Sequence, residues 1–363
     1  MKKDKLNPKD NQDNPEIFNA AVLKKIQQVR NSQPSIEVLI SGILSGEISA
    51  LSRAITLIES NNKNHFAKAN SIINTCLPYA NQSVRIGITG VPGAGKSTFI
   101  EAFGKHLSSL GKKTAVLTID PTSSISHGSI LGDKTRMDEL SKDPNTYIRP
   151  SASGDTLGGV ARKTRETIIL CEAAGFDVII IETVGVGQNE IAVHSMVDFF
   201  LLLQIAGAGD ELQGIKRGVI EIADAIVINK SDGDNIAKTE QAKAELNRAL
   251  HFFPPKKSGW TPIVSSCSAK NHQGITEIQQ IITDYIELTK SNTYFDKKRA
   301  EQNEFWLLET INEQLKQNFY GNTEIQNLLE KTKKAVQNNE SSPFAAAQLL
   351  IETYFNSKDQ SCS

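Results

Sequence analysis

The sequence has few cysteines, few aromatic residues, almost no net charge and no long hydrophobic run. Only four of its 363 residues are cysteine and none forms a CxxC pair, so we expect reduced, buried thiols rather than disulfides or a cysteine metal site. A formal net charge of −1 favours neither nucleic acid nor an anionic membrane as a partner. The longest apolar run, residues 199–203, is too short to span a bilayer, and the polar start does not resemble a signal peptide. These absences predict a soluble, cytoplasmic protein with no membrane or nucleic-acid partner.

A glycine-rich motif follows the first strongly apolar segment. Residues 90–98 read GVPGAGKST, directly after VRIGIT, which is the GxxxxGK(S/T) phosphate-binding loop between a strand and a helix. Its glycines let backbone N–H groups point at phosphate oxygens, and the following helix directs its positive dipole end at the same anion. The chain is therefore predicted to bind a nucleoside triphosphate. The expected contacts are Gly90, Val91, Pro92, Gly93, Ala94, Gly95, Lys96, Ser97 and Thr98.

Two later motifs predict that the base is guanine. The sequence Asn229-Lys230-Ser231-Asp232 ends the apolar run ADAIVI, at the strand end where an open α/β sheet binds ligands. The Asp232 carboxylate can accept hydrogen bonds from guanine N1–H and its amino group, whereas adenine would leave that carboxylate unpaired at a cost of at least ~1–3 kcal/mol. A solvated turn is the alternative, but the motif follows a phosphate loop in the right order. The weaker motif Ser268, Ala269, Lys270 suits a loop whose N–H groups meet the guanine carbonyl.

Three carboxylates are candidates for a magnesium site. Asp120 ends the run AVLTI, Asp133 lies in GSILGDKTRM, and Glu182 ends VIIIE. Mg²⁺ prefers six oxygens, several of them from water, so three acids are more than one ion needs directly. Some are expected to act through water or in one nucleotide state only, with exposed loop acids as the alternative. Gly185 can donate its N–H to the γ-phosphate, whose loss would release the loop.

Strand and helix patterns alternate through the middle of the chain. They predict an α/β fold: a mostly parallel P-loop NTPase sheet with helices on both faces and helical extensions at both ends. Expected strands are 84–89, 114–119, 146–149, 178–182, 198–205, 225–229 and 262–266, and expected helices are 97–110, 157–174, 190–196, 213–222, 239–250 and 274–289. Residues 1–80 would hold a disordered start and an N-terminal helical extension, 81–290 the P-loop domain, and 291–363 a C-terminal helical extension used for dimerisation.

Five segments together resemble one protein family. GVPGAGKST, IDPTSSISHGSILGDKTRM, ETVGVGQNE, QIAGAGDELQGIKRG and VINKSD occur in the order and spacing of the methylmalonyl-CoA mutase-associated GTPases, called MeaB in bacteria and MMAA in animals and formerly described as ArgK transport kinases. The resemblance runs from about residue 43 to beyond residue 270. A generic P-loop protein has no reason to carry GDKTRM or GAGDELQGIK. The resemblance implies GTP/GDP and Mg²⁺ as ligands.

The resemblance also implies roles for single residues. Lys96 would hold the phosphates, and Lys96, Asp133 and Glu182 would take part in catalysis. The implied magnesium-side residues are Ser97, Asp120, Asp133 and Glu182. Asn229, Lys230 and Asp232 would read guanine, with residues 268–270 closing over the base. Residues 207–216 match a third switch region, in which the polar residues expected to report the nucleotide state to the partner are Asp210, Gln213 and Lys216.

The implied function is a G-protein chaperone of an adenosylcobalamin-dependent acyl-CoA mutase, with methylmalonyl-CoA mutase the expected partner. GTP binding and hydrolysis would gate delivery of the cofactor and removal of damaged cofactor. The chain lacks a DxHxxG motif, so tight cobalamin binding is not expected. Family members are homodimers joined through C-terminal helices. Apolar positions in residues 305–311 and 345–355 fit that arrangement, or packing onto their own domain.

The sequence differs from Ras-like GTPases at two positions, and two other functions are possible. Position 182 is Glu where Ras-like proteins carry Asp, and Val186 stands where Ras has the glutamine that orients the attacking water, so slow hydrolysis that a partner accelerates is expected. A kinase or transport ATPase is one alternative, against which Asp232 argues. A metallochaperone GTPase is the other, but no His-rich tract or CxxC site is present.

The basic cluster of Arg162, Lys163 and Arg165 is most simply a solvated helix face, with partner docking as the alternative.

Overall fold

A seven-stranded parallel sheet forms the centre of the computed structural model, which describes residues 34–60, 62–119, 137–150, 157–183, 189–207 and 217–359. The strand order is β3-β2-β4-β1-β5-β6-β7. The strands are β1 (Val84–Gly90), β2 (Thr114–Ile119), β3 (Thr146–Pro150), β4 (Val178–Thr183), β5 (Phe199–Ile205), β6 (Ala225–Asn229) and β7 (Ile263–Ser266). The predicted α/β class with a parallel sheet is confirmed.

Twelve α-helices accompany the sheet in the described part of the chain. They are α1 (Ile36–Leu44), α2 (Ile48–Glu59), α3 (Lys63–Cys76), α4 (Lys96–Ser109), α5 (Leu157–Ala173), α6 (Asn189–His194), α7 (Arg217–Ile222), α8 (Ile236–Leu250), α9 (Ile275–Ser291), α10 (Tyr294–Tyr320), α11 (Thr323–Gln337) and α12 (Pro343–Asp359). From β1 the chain crosses β4 to form β2 and then β3 at one edge of the sheet, and from β3 it returns across β2 to form β4. The crossovers that contain α4 and α5 therefore run in opposite directions. Right-handed crossovers therefore place α4 and α5 on opposite faces, which explains why the central strands are largely buried and mostly apolar.

The parallel arrangement brings the motifs to one edge of the sheet. Ile88 of β1 pairs with Glu182 of β4, and Ile205 of β5 pairs with Asn229 of β6. Because parallel strands all end on the same side, the phosphate loop after β1, the acid at the end of β4 and the NKSD motif after β6 share the carboxyl edge.

The N-terminal helices pack onto this domain, as the helical pattern predicted. Leu39, Ile43, Leu51, Ile55 and Ile72 are buried in the same hydrophobic core as the sheet. Polar contacts add to this packing, since Arg149 of β3 forms an ion pair with Glu59 of α2. The N-terminal helices are therefore an integral part of the hydrophobic core.

Helix α10 is fastened to the amino edge of the sheet by buried charges. Arg299 donates to both carboxylate oxygens of Asp198 at 2.8 and 2.7 Å and to the Ser83 main-chain oxygen at 2.7 Å. Beside it Arg85 bonds Glu172 at 2.8 Å with both side chains fully buried. Arg299 therefore joins the C-terminal extension to the chain just before β1 and β5.

The basic cluster on α5 is not a solvated face, so that interpretation was wrong. Lys163 and Arg165 are each only 8 % exposed. Lys163 Nζ donates to the Glu59 main-chain oxygen at 2.7 Å, and Arg165 donates to Asn303 Oδ1 at 2.5 Å. The cluster instead binds the N- and C-terminal extensions to the sheet domain.

The described helices and cysteines bear on two expectations, that no segment spans a membrane and that the thiols are reduced and buried. None of the helices there combines the length and hydrophobicity that a bilayer-spanning segment needs. Cys76, Cys171 and Cys267 are free and buried, and burial raises the thiol pKa to about 11 at Cys76 and about 12 at Cys267. The expectation of reduced, buried thiols is confirmed for these three cysteines.

Candidate nucleotide-binding site

The phosphate loop is shaped by two glycines that no larger residue could replace without movement. A Cβ on Gly90 would lie 2.2 Å from the Leu203 main-chain oxygen of β5. Gly95 caps α4 with a φ of +83°, and its added Cβ would lie 2.7 Å from Asn229 Nδ2. The loop is therefore packed closely against β5 and against Asn229 at the end of β6, in the strand–loop–helix arrangement that binds phosphate anions.

Lys96 lies over this loop as the first residue of α4. It is 9 % exposed, and its ammonium donates to the main-chain oxygens of Gly90 at 2.8 Å and Val91 at 3.4 Å. Burial lowers the pKa of the Lys96 ammonium, an effect that the nearby Glu182 carboxylate opposes. The Lys96 ammonium is thus held against the glycine loop, at the place where the motif would have it meet the phosphates.

A hydroxyl and a carboxylate meet beside the loop on the predicted magnesium side. Ser97 Oγ lies 3.4 Å from Glu182 Oε1, to which it donates. Next to them Thr183 Oγ1 donates to Thr89 Oγ1 at 2.8 Å, which joins the ends of β4 and β1. Mg²⁺ in nucleotide sites uses few protein oxygens together with waters and substrate phosphates, so Ser97 and Glu182 fit that donor set. No cluster of three or more acidic, His or Cys side chains suited to a metal occurs among the described residues.

The predicted base-reading residues also come together. Ser268 Oγ donates a short hydrogen bond to Asp232 Oδ2. Ser268 is buried at 1 % exposure, and its main chain exchanges two hydrogen bonds with Gln273 at 3.0 and 3.1 Å. A rigid turn therefore holds the hydroxyl that orients the Asp232 carboxylate. Lys270 lies on this turn and is exposed.

Asn229 connects the base loop to the phosphate loop. Its Nδ2 donates to the Ala94 main-chain oxygen at 2.9 Å, and its Oδ1 accepts from the Ala269 N–H at 3.1 Å and from Cys267 Sγ at 3.4 Å. The exposed Lys230 side chain runs past the phosphate loop, with Cε 3.9 Å from a Cβ built on Gly95. The two motifs thus form one hydrogen-bonded unit.

Some contacts at the site were not predicted, and some predicted residues fall outside the described ranges. The contact of the Cys267 thiol with Asn229 and the Thr89–Thr183 hydrogen bond could not be predicted from the sequence. An isolated cysteine or threonine at the end of a strand matches no functional motif and is most simply a packing residue. Six predicted residues lie outside the described residues: Asp120, Asp133, Gly185, Asp210, Gln213 and Lys216.

Comparisons with known proteins agree with this geometry. The family model of the methylmalonyl-CoA mutase-associated GTPase MeaB matches residues 51–324. A putative GTPase of Caulobacter vibrioides is 46 % identical over 88 % of this chain and 98 % of its own. The mouse methylmalonic aciduria type A homolog, a mitochondrial protein, is 42 % identical over 89 % of this chain and 80 % of its own.

A solved structure supports the same assignment. The crystal structure titled LAO/AO transport system kinase is 37 % identical and superposes with a TM-score of 0.69, covering 89 % of this chain and 99 % of that one. With a phosphate loop, a guanine motif joined to it by Asn229, and relatives named GTPases along most of its length, this chain is a GTPase that belongs to the methylmalonyl-CoA mutase-associated MeaB family.

Proposed function

We propose that this GTPase is a chaperone of an adenosylcobalamin-dependent acyl-CoA mutase, most directly methylmalonyl-CoA mutase. GTP binding and hydrolysis would gate adenosylcobalamin delivery to the mutase and its protection there. The family description names that mutase, and the mouse relative is named after methylmalonic aciduria.

The observation that carries the proposal is the Asn229 connection between base loop and phosphate loop. In our proposal Asp232, positioned by Ser268, selects guanine, while Lys96 and main-chain N–H groups of the phosphate loop hold the phosphates. Recognition of the base is then joined to the loop that senses the phosphates, which suits a protein whose output depends on GDP or GTP.

Magnesium fits beside the same loop. Ser97 and Glu182, whose oxygens lie 3.4 Å apart, would hold it together with Asp120 and Asp133, directly or through water. When bound, the ion neutralises charge on the β- and γ-phosphates. In the proposed catalytic set, Lys96 stabilises phosphate charge and Asp133 and Glu182 orient ligands and water.

Slow intrinsic hydrolysis follows from Val186, since no glutamine stands there to orient the attacking water. We propose that binding of the mutase orders the switch regions and so speeds hydrolysis, with Asp210, Gln213 and Lys216 reporting the nucleotide state to it.

The proposed domain boundaries fall near residues 80 and 290, and the proposed compartment is the cytoplasm.

A homodimer would use the exposed side of α10. Leu307, Leu308, Ile311 and Leu315 are 61, 54, 44 and 58 % exposed, and their spacing puts them on one helix stripe, while Trp306 is buried in the core. Such a contiguous apolar stripe marks an interface. Leu308→Glu should convert a dimer to a monomer in sedimentation. Ile236→Glu, which places the same charge at another exposed aliphatic residue outside α10, should not. An unchanged mass for Leu308→Glu would contradict this interface.

Nucleotide-dependent binding to the mutase tests the proposal. We expect the mutase to be retained by immobilised GTPase to different extents in GDP and in a non-hydrolysable GTP analogue. Asp232→Asn should lose that difference for guanine nucleotides. No binding of the mutase in either nucleotide state would overturn the proposal.

A further inference from the structure

A cavity lies at the amino edge of the sheet, far from the phosphate loop. This amino-edge cavity has a volume of about 370 Å³ and is lined by His194, Asp224, Lys256, Ser258, Tyr285 and Lys298, among others. Asp224 directly precedes β6, whose far end carries Asn229. The five residues of β6 span roughly 17 Å at about 3.3 Å per residue, so the cavity is separate from the nucleotide-binding edge.

Lys298 brings a buried positive charge to this cavity. The side chain is 8 % exposed, and its ammonium donates to the Asp198 main-chain oxygen at 2.7 Å. An ammonium has three N–H donors, so two remain. The Asp198 carboxylate is shared, because Arg299 bonds both of its oxygens. Asp224 and Asp198 act on Lys298 through their charge without a direct ion pair. Within the described residues no carboxylate forms an ion pair with Lys298.

The other acid of the cavity is also occupied. Asp224 Oδ1 pairs with Lys256 Nζ at 2.8 Å, and its Oδ2 accepts the Phe200 N–H at 3.0 Å. On the rim, Lys257 and Glu221 are both exposed. Three lysines therefore face two acids, leaving one net positive charge, and Lys298 is the buried source of it.

Two neutral groups offer further hydrogen bonds. The Tyr285 ring is fixed by edge contacts with Phe199 and Trp260, at centroid distances of 5.1 and 5.5 Å, and the residue lines the cavity. Burial raises the pKa of Tyr285, so the hydroxyl stays a donor. Burial also lowers the pKa of His194 to about 4, so at neutral pH the imidazole is uncharged.

We propose that the amino-edge cavity binds a small oxyanion of the phosphate class. Lys298 supplies the charge and the spare N–H donors, and the Tyr285 hydroxyl donates to a second oxygen. A buried, unpaired ammonium is unfavourable until an anion accompanies it. The volume exceeds that of inorganic phosphate, so either free phosphate or the head group of a small phosphate monoester fits.

Titration of the full-length protein, saturated with GDP and Mg²⁺, tests this site. Inorganic phosphate is added while calorimetry follows binding and the ring signals of His194 are followed by NMR. We expect saturable binding that shifts the His194 signals. A parallel titration with glycerol 3-phosphate distinguishes the sources: tighter binding assigns the site to phosphate monoesters, and weaker binding to free phosphate.

Variants assign the binding to the proposed groups. Lys298→Met should weaken phosphate binding at least tenfold, and Lys297→Met, at the exposed neighbouring position, should leave it unchanged. Tyr285→Phe keeps the packed ring and should weaken binding several-fold, so it tests the site even if Lys298→Met does not fold. GDP affinity should be unchanged in all three. The proposal is overturned if wild type shows no saturable binding at millimolar phosphate, or if either Tyr285→Phe or a folded Lys298→Met binds phosphate as wild type does.

Discussion

The Asn229 side-chain amide donates a hydrogen bond to the Ala94 main-chain oxygen over 2.9 Å. These residues are separated by 135 positions in the chain, and one belongs to the guanine motif while the other belongs to the phosphate loop. Because the same side chain also accepts from Ala269, its loss should loosen both halves of the site together.

Asn229→Ala is expected to weaken GDP binding by about tenfold to a hundredfold, because one hydrogen-bonded buried group costs ~1–3 kcal/mol when its partner is removed. Fluorescent GDP titration measures the affinity. Asn247→Ala, at an exposed position of α8, is the matched control and should bind as wild type does. Equal affinities of the two variants would remove Asn229 from this role.

Asp232→Asn should change the preferred base. The amide replaces one acceptor with a donor, which matches the xanthine carbonyl and opposes the guanine amino group. Competition between GDP and XDP measures the preference. Ser268→Ala, which removes the hydroxyl bonded to Asp232, should weaken GDP binding without favouring XDP. A guanine preference that survives in Asp232→Asn would count against base reading by this carboxylate.

Ser97→Ala should raise the Mg²⁺ concentration needed for half-maximal GTP hydrolysis by about tenfold or more, as losses of metal-site partners typically do. The hydroxyl is removed from a position 3.4 Å from Glu182 Oε1. Ser109→Ala at the other end of α4 provides the control. If the magnesium dependence of both variants equals that of wild type, Ser97 is not a ligand.

The Asp198–Arg299 pair should make stability depend on acid pH. Burial alone would raise the pKa of Asp198, but the hydrogen bonds and charge of Arg299 hold it below its ordinary value of 3.8. A carboxyl with a lowered pKa in the folded state stabilises the protein above its unfolded pKa, and this contribution is lost as the pH falls through the folded pKa. The free energy of unfolding should therefore fall below about pH 4.

Arg299→Met should test that pair directly. At pH 7 it should lower the free energy of unfolding by ~3–5 kcal/mol, because the buried Asp198 carboxylate loses its ion-pair partner, and the further loss on acidification should shrink. Lys297→Met, at an exposed position, should change stability by less than ~0.5 kcal/mol. Denaturant unfolding at pH 7 and pH 3 gives the free energy of unfolding at each pH. If Arg299→Met loses as much stability between pH 7 and pH 3 as wild type does, the Asp198–Arg299 pair is not the source of the acid dependence.

Much of the sheet could be predicted because apolar runs mark buried strands. β2 and β6 have the predicted bounds, and β1 extends one residue further, to Gly90. Helix ends were less accurate: α8 begins at Ile236 rather than 239, and α6 ends at His194 rather than 196. Periodicity indicates which face of a helix is buried, whereas its ends depend on caps and turns.

The motifs predicted which side chains meet, but not how they are held. The order of strands at one edge brings Ser97 to Glu182 and Asp232 to Ser268, which the motif order anticipated. Bonds such as Thr183 to Thr89 join residues 94 positions apart and leave no periodic pattern. The cluster on α5 was misread for the same reason, since the groups that bury Lys163 and Arg165 come from distant helices.

Single-turnover hydrolysis of GTP, measured with and without methylmalonyl-CoA mutase, tests the proposed function most directly. We expect slow hydrolysis by the GTPase alone and a rate at least about tenfold higher, or ~1.4 kcal/mol lower in barrier, when the mutase is present. A fast rate without the mutase, or the same slow rate in its presence, would contradict a regulatory GTPase that responds to this partner.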